Sequence, residues 1–139
     1  MFSSPLISFL CGFILTTLES ATIDKPVSVK DSDATLQKLI YGVGLHGVND
    51  KIRDTAWWIP VGGGYQATRL VTATGGDHHY TWQFKITAQK STCPRASVTF
   101  SKVKNCKADP AASRKKSCSV YISYSEKRPD DIDSEVYCQ

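Results

Sequence analysis

No apolar run in this 139-residue chain is long enough to cross a bilayer: its extended apolar stretch, PLISFLCGFILTTL at 5–18, has fourteen residues, where a spanning helix needs about 20. No Asn-x-Ser/Thr acceptor occurs, because Asn49 precedes Asp50-Lys51 and Asn105 precedes Cys106-Lys107, and this excludes N-linked glycosylation. No nucleophile is set beside a base in a recognisable pattern, so an enzyme is not expected. A metal site is not expected either. His78 and His79 are adjacent, neighbouring strand residues point to opposite faces, and His46 as a third ligand does not repair that geometry; they read as polar turn residues. Nothing calls for a cofactor.

What the chain does have begins with a leader. The 5–18 run is followed by Glu19-Ser20-Ala21, which reads as a signal peptide over residues 1–20 with cleavage near Ser20 or Ala21, although only the amino terminus supplies its positive end. One domain, 21–139, remains. It is expected to be secreted and extracellular, with no membrane association after cleavage, and about 118 residues suffice for a single core. Cys11 leaves with the leader. Cys93, Cys106, Cys118 and Cys138 stay, separated by twelve, eleven and nineteen residues. Four cysteines permit three connectivities. Sequential pairing, Cys93-Cys106 and Cys118-Cys138, is preferred because each bridge then closes a local hairpin, stabilising the fold by roughly 2–4 kcal/mol apiece.

Along the mature chain, Ile23–Val29 is β-branched but interrupted by Lys25-Pro26, an edge strand or extended arm at best. Asp31-Ser32-Asp33 supplies a helix start. Leu36, Leu39, Ile40, Val43 and Gly47 then follow at helical spacing, and the helix should end near Asn49. The rest reads as strands. Thr55–Ile59 is aromatic and β-branched, with Pro60 and Gly62-Gly63-Gly64 breaking it, and Tyr65–Thr74 resumes. Gly75-Gly76-Asp77 marks a tight reversal. Tyr80, Trp82, Phe84 and Ile86 alternate with Thr81, Gln83, Lys85 and Thr87, a pattern that gives a sheet one covered and one wet face. Val98–Phe100 is strand-like, Val120, Ile122 and Tyr124 repeat the alternation, and Glu126–Asp131 turns into a last strand near Glu135–Cys138. Trp57, Trp58 and Trp82 read as core or sheet-face packing. The fold class is α+β: one N-terminal helix against a four- to five-stranded antiparallel sheet.

The formal net charge is +4, and loss of Glu19 with the leader raises it to +5. Lys102, Lys104, Lys107, Arg114, Lys115 and Lys116 concentrate the excess around the middle cysteines. Such a cluster suits an anionic surface, a heparin-like chain or nucleic acid. It equally suits a solvated loop, and without interleaved aromatics the loop is the reading taken and nucleic acid is not an expected partner.

Several stretches together resemble a type 2 cystatin: the helix over Leu36–Val48, Arg69–Thr74 leading into a glycine hairpin, the strand Tyr80–Thr92 ending in Ser91-Thr92-Cys93, and the nineteen-residue gap from Cys118 to Cys138. They cover nearly the whole mature chain. The resemblance implies a sheet of about five strands wrapped around the helix, and the same sequential cysteine pairing. It implies a monomer whose partner is a papain-like cysteine protease of cathepsin type. The active-site cleft would be occluded reversibly by the N-terminal arm and two hairpin loops, here Thr72-Ala73-Thr74-Gly75-Gly76 and Glu126-Lys127.

This chain departs from the family at all three contact elements. Where relatives carry Gln-x-Val-x-Gly it keeps only the glycine or has a shortened loop; where they carry Pro-Trp it has Glu126-Lys127; and no glycine lies between Ala21 and Tyr41. Some cystatins also inhibit legumain through an asparagine in a Ser-Asn-Asp loop after the helix, which makes Asn49 in Val48-Asn49-Asp50 a candidate legumain site. By its residues alone the pair reads as a helix C-cap and turn. Two functions follow: a protease inhibitor, or a non-inhibitory binding or effector module on the same fold, of secreted, venom or defence type, that has lost the protease contacts.

Overall fold

The computed structural model describes residues 22–139, so the stretch 1–20 expected to be a signal peptide lies outside the described residues. Seven strands form one antiparallel sheet. β1 (Thr22–Ile23) and β2 (Val27–Ser28) are two short pieces of the arm, and both pair with β4 (Thr68–Thr74). β5 (Asp77–Pro94) is the long central strand, with β6 (Lys115–Ser125) on one side and β4 followed by β3 (Ala56–Pro60) on the other. β7 (Arg128–Cys138) closes the far edge against β6. Five strands, β3 to β7, follow the helix as expected, and the count reaches seven because the two short arm pieces also pair with β4. β7 begins at Arg128 rather than near Glu135. Pro129 is tolerated there because an edge strand has one row of N–H groups that need no partner.

The helix runs as α1 (Ala34–Leu39), a π-helical turn (Ile40–Gly44) and α2 (Leu45–Ile52). Asp33 caps it, its Oδ1 accepting from the Leu36 N–H at 2.9 Å, and its last residue is Ile52, three later than expected, with Arg53 as a left-handed C-cap. The π turn inserts extra backbone into the helical repeat. A regular period put Val43 and Gly47 on the buried face; past the turn that face moves on, and Leu45, Val48 and Asn49 are the fully buried residues while Val43 and Gly47 are half-buried.

The core lies between this face and the concave side of the sheet. Leu36, Ile40 and Val48 pack with Trp82, Phe84, Ile86, Val120 and Ile122, all essentially inaccessible. Each fully buried large apolar side chain of this kind contributes about 1.5–3 kcal/mol. Gly47 brings the helix close to β7: a Cβ there would stand 2.7 Å from Cγ2 of Val136. Trp58 and Trp82 are in the core, and Trp57 is half-buried with its indole N–H donating to the Val98 carbonyl at 2.7 Å.

A smaller cluster of Leu45, Ile59 and Val103 sits under the segment between β5 and β6. Val98–Phe100 is not a strand there. A 3-10 helix, Phe100–Asn105, starts at Phe100, and the Phe100 ring packs edge-on against Trp57 and His46 instead of joining a ladder. Disulfides join Cys93 to Cys106 and Cys118 to Cys138, with Cα separations of 5.9 and 4.0 Å. The second links directly opposed residues of β6 and β7. Among the described residues no helix is long and apolar enough to cross a membrane.

Candidate functional site

Two hairpin tips and the arm meet at one end of the sheet. The β4–β5 ladder runs to the Thr74–Asp77 pair, leaving Gly75-Gly76 as a two-residue turn. Both glycines have positive φ, +59° and +74°, the backbone of the turn whose twist matches its flanking strands. The β6–β7 ladder resumes at Ser125–Arg128, leaving Glu126-Lys127 as the second tip. Because His79 opposes Ser125 across β5 and β6, the two tips lie side by side. The arm joins them: Thr22 and Ile23 pair with Ala73 and Thr72, next to the first turn. Along this end the order is arm, first tip, second tip.

The tips are stapled to each other. The Glu126 N–H donates to the His78 carbonyl at 2.8 Å, the Lys127 N–H donates to Oδ1 of Asp77 at 3.2 Å, and Nδ1 of His78 stands 2.7 Å from Oε2 of Glu126. Desolvation would raise the Asp77 pKa, but the Lys127 N–H, the Ser125 hydroxyl and the nearby His79 and Lys127 charges outweigh it and hold the carboxyl below its ordinary value. Asp77 is therefore an anionic acceptor fixing the second tip to the first. Behind the tips, His79, Ser123, Ser125, Arg128, Asp131 and Asp133 line an open polar depression of about 210 Å³. The arrangement holds two exposed turns rigidly and side by side. Among the described residues no large apolar side chain is exposed at either hairpin tip.

The residues singled out from sequence divide accordingly. Gly75, Gly76, Glu126 and Lys127 are exposed at the tips. Thr72 and Ala73 are half-buried strand residues between β1 and β5, and Thr74 is exposed but paired with Asp77, so only the two glycines project from the first hairpin.

Asn49 is not a turn residue and is not accessible. It lies within α2, fully buried, with Nδ2 donating to the carbonyls of Leu45 and Trp58 at 2.9 Å each and Oδ1 accepting from the Trp58 N–H at 2.7 Å. The Arg95 guanidinium, which also covers the Trp57 ring, donates to the Asn49 carbonyl. The side chain acts as a one-residue neighbour for the free edge of β3. A protease cannot reach it there, and the candidate legumain role is corrected to a structural one.

His46 sits on α2, 3.0 Å from Asp50, whereas His78 and His79 are at the hairpins; among the described residues no group of three His, Cys, Asp or Glu side chains is placed to hold a metal ion. The staple between the tips was not anticipated from sequence. Its partners are 48 to 50 positions apart, and no local pattern pairs Asp77 or His78 with Glu126 or Lys127. The chain matches no protein-family model and no curated protein.

Proposed function

We propose that this protein is a cystatin-like inhibitor of papain-type cysteine proteases, secreted after loss of its leader, which acts by reversible occlusion of the active-site cleft. One observation carries the reading: the arm, the Gly75-Gly76 turn and the Glu126-Lys127 turn stand in that order along one end of a rigid sheet. Two exposed turns with an arm strand beside them, in a row along one edge, suit a cleft on both sides of a catalytic thiol. The staple between the turns, Asp77 to Lys127 and His78 to Glu126, limits the conformational entropy lost on binding. No catalytic residue is required, and neither tight turn offers a peptide in a cleavable pose.

The polar character of the tips sets the expected strength. An aromatic anchor at the centre of an interface is typically worth 2 kcal/mol or more, and Glu126-Lys127 provides none. Titration of the mature, disulfide-bonded protein against papain and a cathepsin L-type enzyme tests the reading. Reversible, competitive inhibition supports it. Absence of inhibition at micromolar protein overturns it and leaves the second reading, a binding module whose polar tips engage another kind of protein.

A further inference from the structure

Six cations lie between the 3-10 helix and the first residues of β6, at the end of the sheet away from the hairpin tips. Lys102 and Lys104 stand on the 3-10 helix, Lys107 follows Cys106, and Arg114, Lys115 and Lys116 lead into β6. The segment from 107 to 109 runs beside β5: the Thr92 N–H donates to the Lys107 carbonyl, Ser91 bridges Ala108, and the Asp109 N–H donates to the Lys90 carbonyl. Gln89 then anchors the return, its side-chain amide donating to the carbonyls of Asp109 and Ala112 while its backbone faces Lys115 across the ladder. Residues 107–109 therefore extend the line of β6 on the side of β5 away from β3. Lys107 opposes Thr92 and Lys115 opposes Gln89, about three strand residues or roughly 10 Å apart along that line, with their side chains on opposite faces of this end of the sheet.

The charges are held and unneutralised. Five of the six residues are exposed and Lys116 is half-buried. Among the described residues none of the six stands within ion-pair distance of a carboxylate. Asp109, the one acid in the segment, accepts from the Ala111 N–H at 2.9 Å. The Cys93–Cys106 disulfide and the packing of Lys104 over the Tyr41 ring at 4.9 Å fix the segment to the body. At the opposite end of the sheet, residues 126–135 carry five carboxylates against Lys127 and Arg128.

We propose that the ridge formed by residues 102–116 binds a sulfated polysaccharide of the extracellular matrix. A group of exposed cations without ion-paired acids at one end of the sheet complements a polyanion that wraps it, and such binding is driven by release of condensed counterions. Single-stranded nucleic acid would call for exposed aromatic platforms for its bases, and none of the exposed large apolar side chains lies in this segment. Two disulfides fit an oxidising compartment, where sulfated polysaccharides occur. The ridge is at the far end of β5 from the hairpin tips, so polysaccharide and a partner at the tips are held together without competing.

The test uses the intact mature protein and heparin oligosaccharides, with affinity measured between about 0.05 and 0.2 M salt. With five charge contacts the affinity is expected to fall on the order of a hundredfold over that range. Lys107→Glu/Arg114→Glu/Lys115→Glu is expected to weaken binding by roughly thirtyfold at physiological salt. Lys30→Glu/Lys38→Glu/Lys51→Glu, with the same net charge, is expected to bind within a few-fold of the parent. Heparin should also protect Lys102, Lys104, Lys107 and Lys115 of the unmodified protein from acetylation, a readout that needs no variant. Equal losses in both triple variants, protection elsewhere, or tighter binding of a charge-matched oligonucleotide or of phosphatidylserine vesicles overturns the proposal.

Discussion

Asn49→Ala tests most sharply whether the helix is fastened to the sheet as described. The substitution leaves the helix backbone in place but removes both partners of the Trp58 peptide, whose N–H and carbonyl each bond the Asn49 side chain in a fully buried position. Among the described residues β3 pairs with β5 alone, so no neighbouring strand stands ready to replace them. A buried polar group left without a partner costs about 1–3 kcal/mol, and two of them give an expected loss of about 3 kcal/mol, a large part of the 5–15 kcal/mol typical of a domain. Urea unfolding followed by tryptophan fluorescence should show the midpoint falling by about 2 M with an unchanged slope. Asn49→Asp keeps the acceptor for the Trp58 N–H, supplies no donor, and buries a carboxylate. Burial raises the pKa of such a group, so part of its lost stability should return as pH falls and the carboxyl becomes a donor. A loss below about 1 kcal/mol for Asn49→Ala would show that the Trp58 backbone does not depend on the Asn49 side chain. So would an unchanged stability accompanied by loss of legumain inhibition.

Further outcomes follow from other contacts. Gly47→Ala should destabilise by about 1 kcal/mol despite the better helix propensity of alanine, because the new Cβ meets Val136 at 2.7 Å. In a Val136→Ala background the same change should be neutral or stabilising, as a double-mutant cycle by thermal melting will show. Hydrogen bonding to the Trp58 indole, reinforced by the Thr55 N–H and Lys90, holds the Asp54 pKa at about 2 against an ordinary 3.8. Its contribution, about 1 kcal/mol after discounting for partial exposure, is present above pH 4 and lost as pH falls toward 2. Asp54→Asn should remove most of that pH dependence in equilibrium unfolding. Lys127→Trp adds an aromatic at an exposed tip without touching its backbone bond to Asp77; papain inhibition should tighten by at least tenfold. Opening the Cys93–Cys106 bridge by double serine substitution should cost about 3 kcal/mol.

The alternating strands were plain in the sequence because period-two burial is strict in Trp82, Phe84, Ile86 and Ala88. The helix start was equally plain in Asp33. The phase of the helix after Ile40 was not, since a π turn leaves no mark beyond a glycine, and it decides whether Val43 or Leu45 is buried. Asn49 misled for a related reason: asparagine near a helix end signals a cap, whereas its three bonds here include two to Trp58, nine residues on. Phe100 has strand propensity, but edge-on packing against Trp57 and His46 overrides it. At the candidate site the glycine turn was legible from positive-φ chemistry. The staple that sets the second tip beside the first joins positions about fifty apart and emerges only when β5 and β6 are in register.

Hydrogen exchange of disulfide-bonded residues 21–139, free and saturated with papain whose catalytic thiol is capped, decides whether the hairpin end is the contact face. Added protection is expected in the arm, at Thr72–Asp77 and at Ser125–Arg128, with residues 100–116 unchanged. Protection confined to the basic ridge, or no change anywhere at saturating protease, would contradict this assignment.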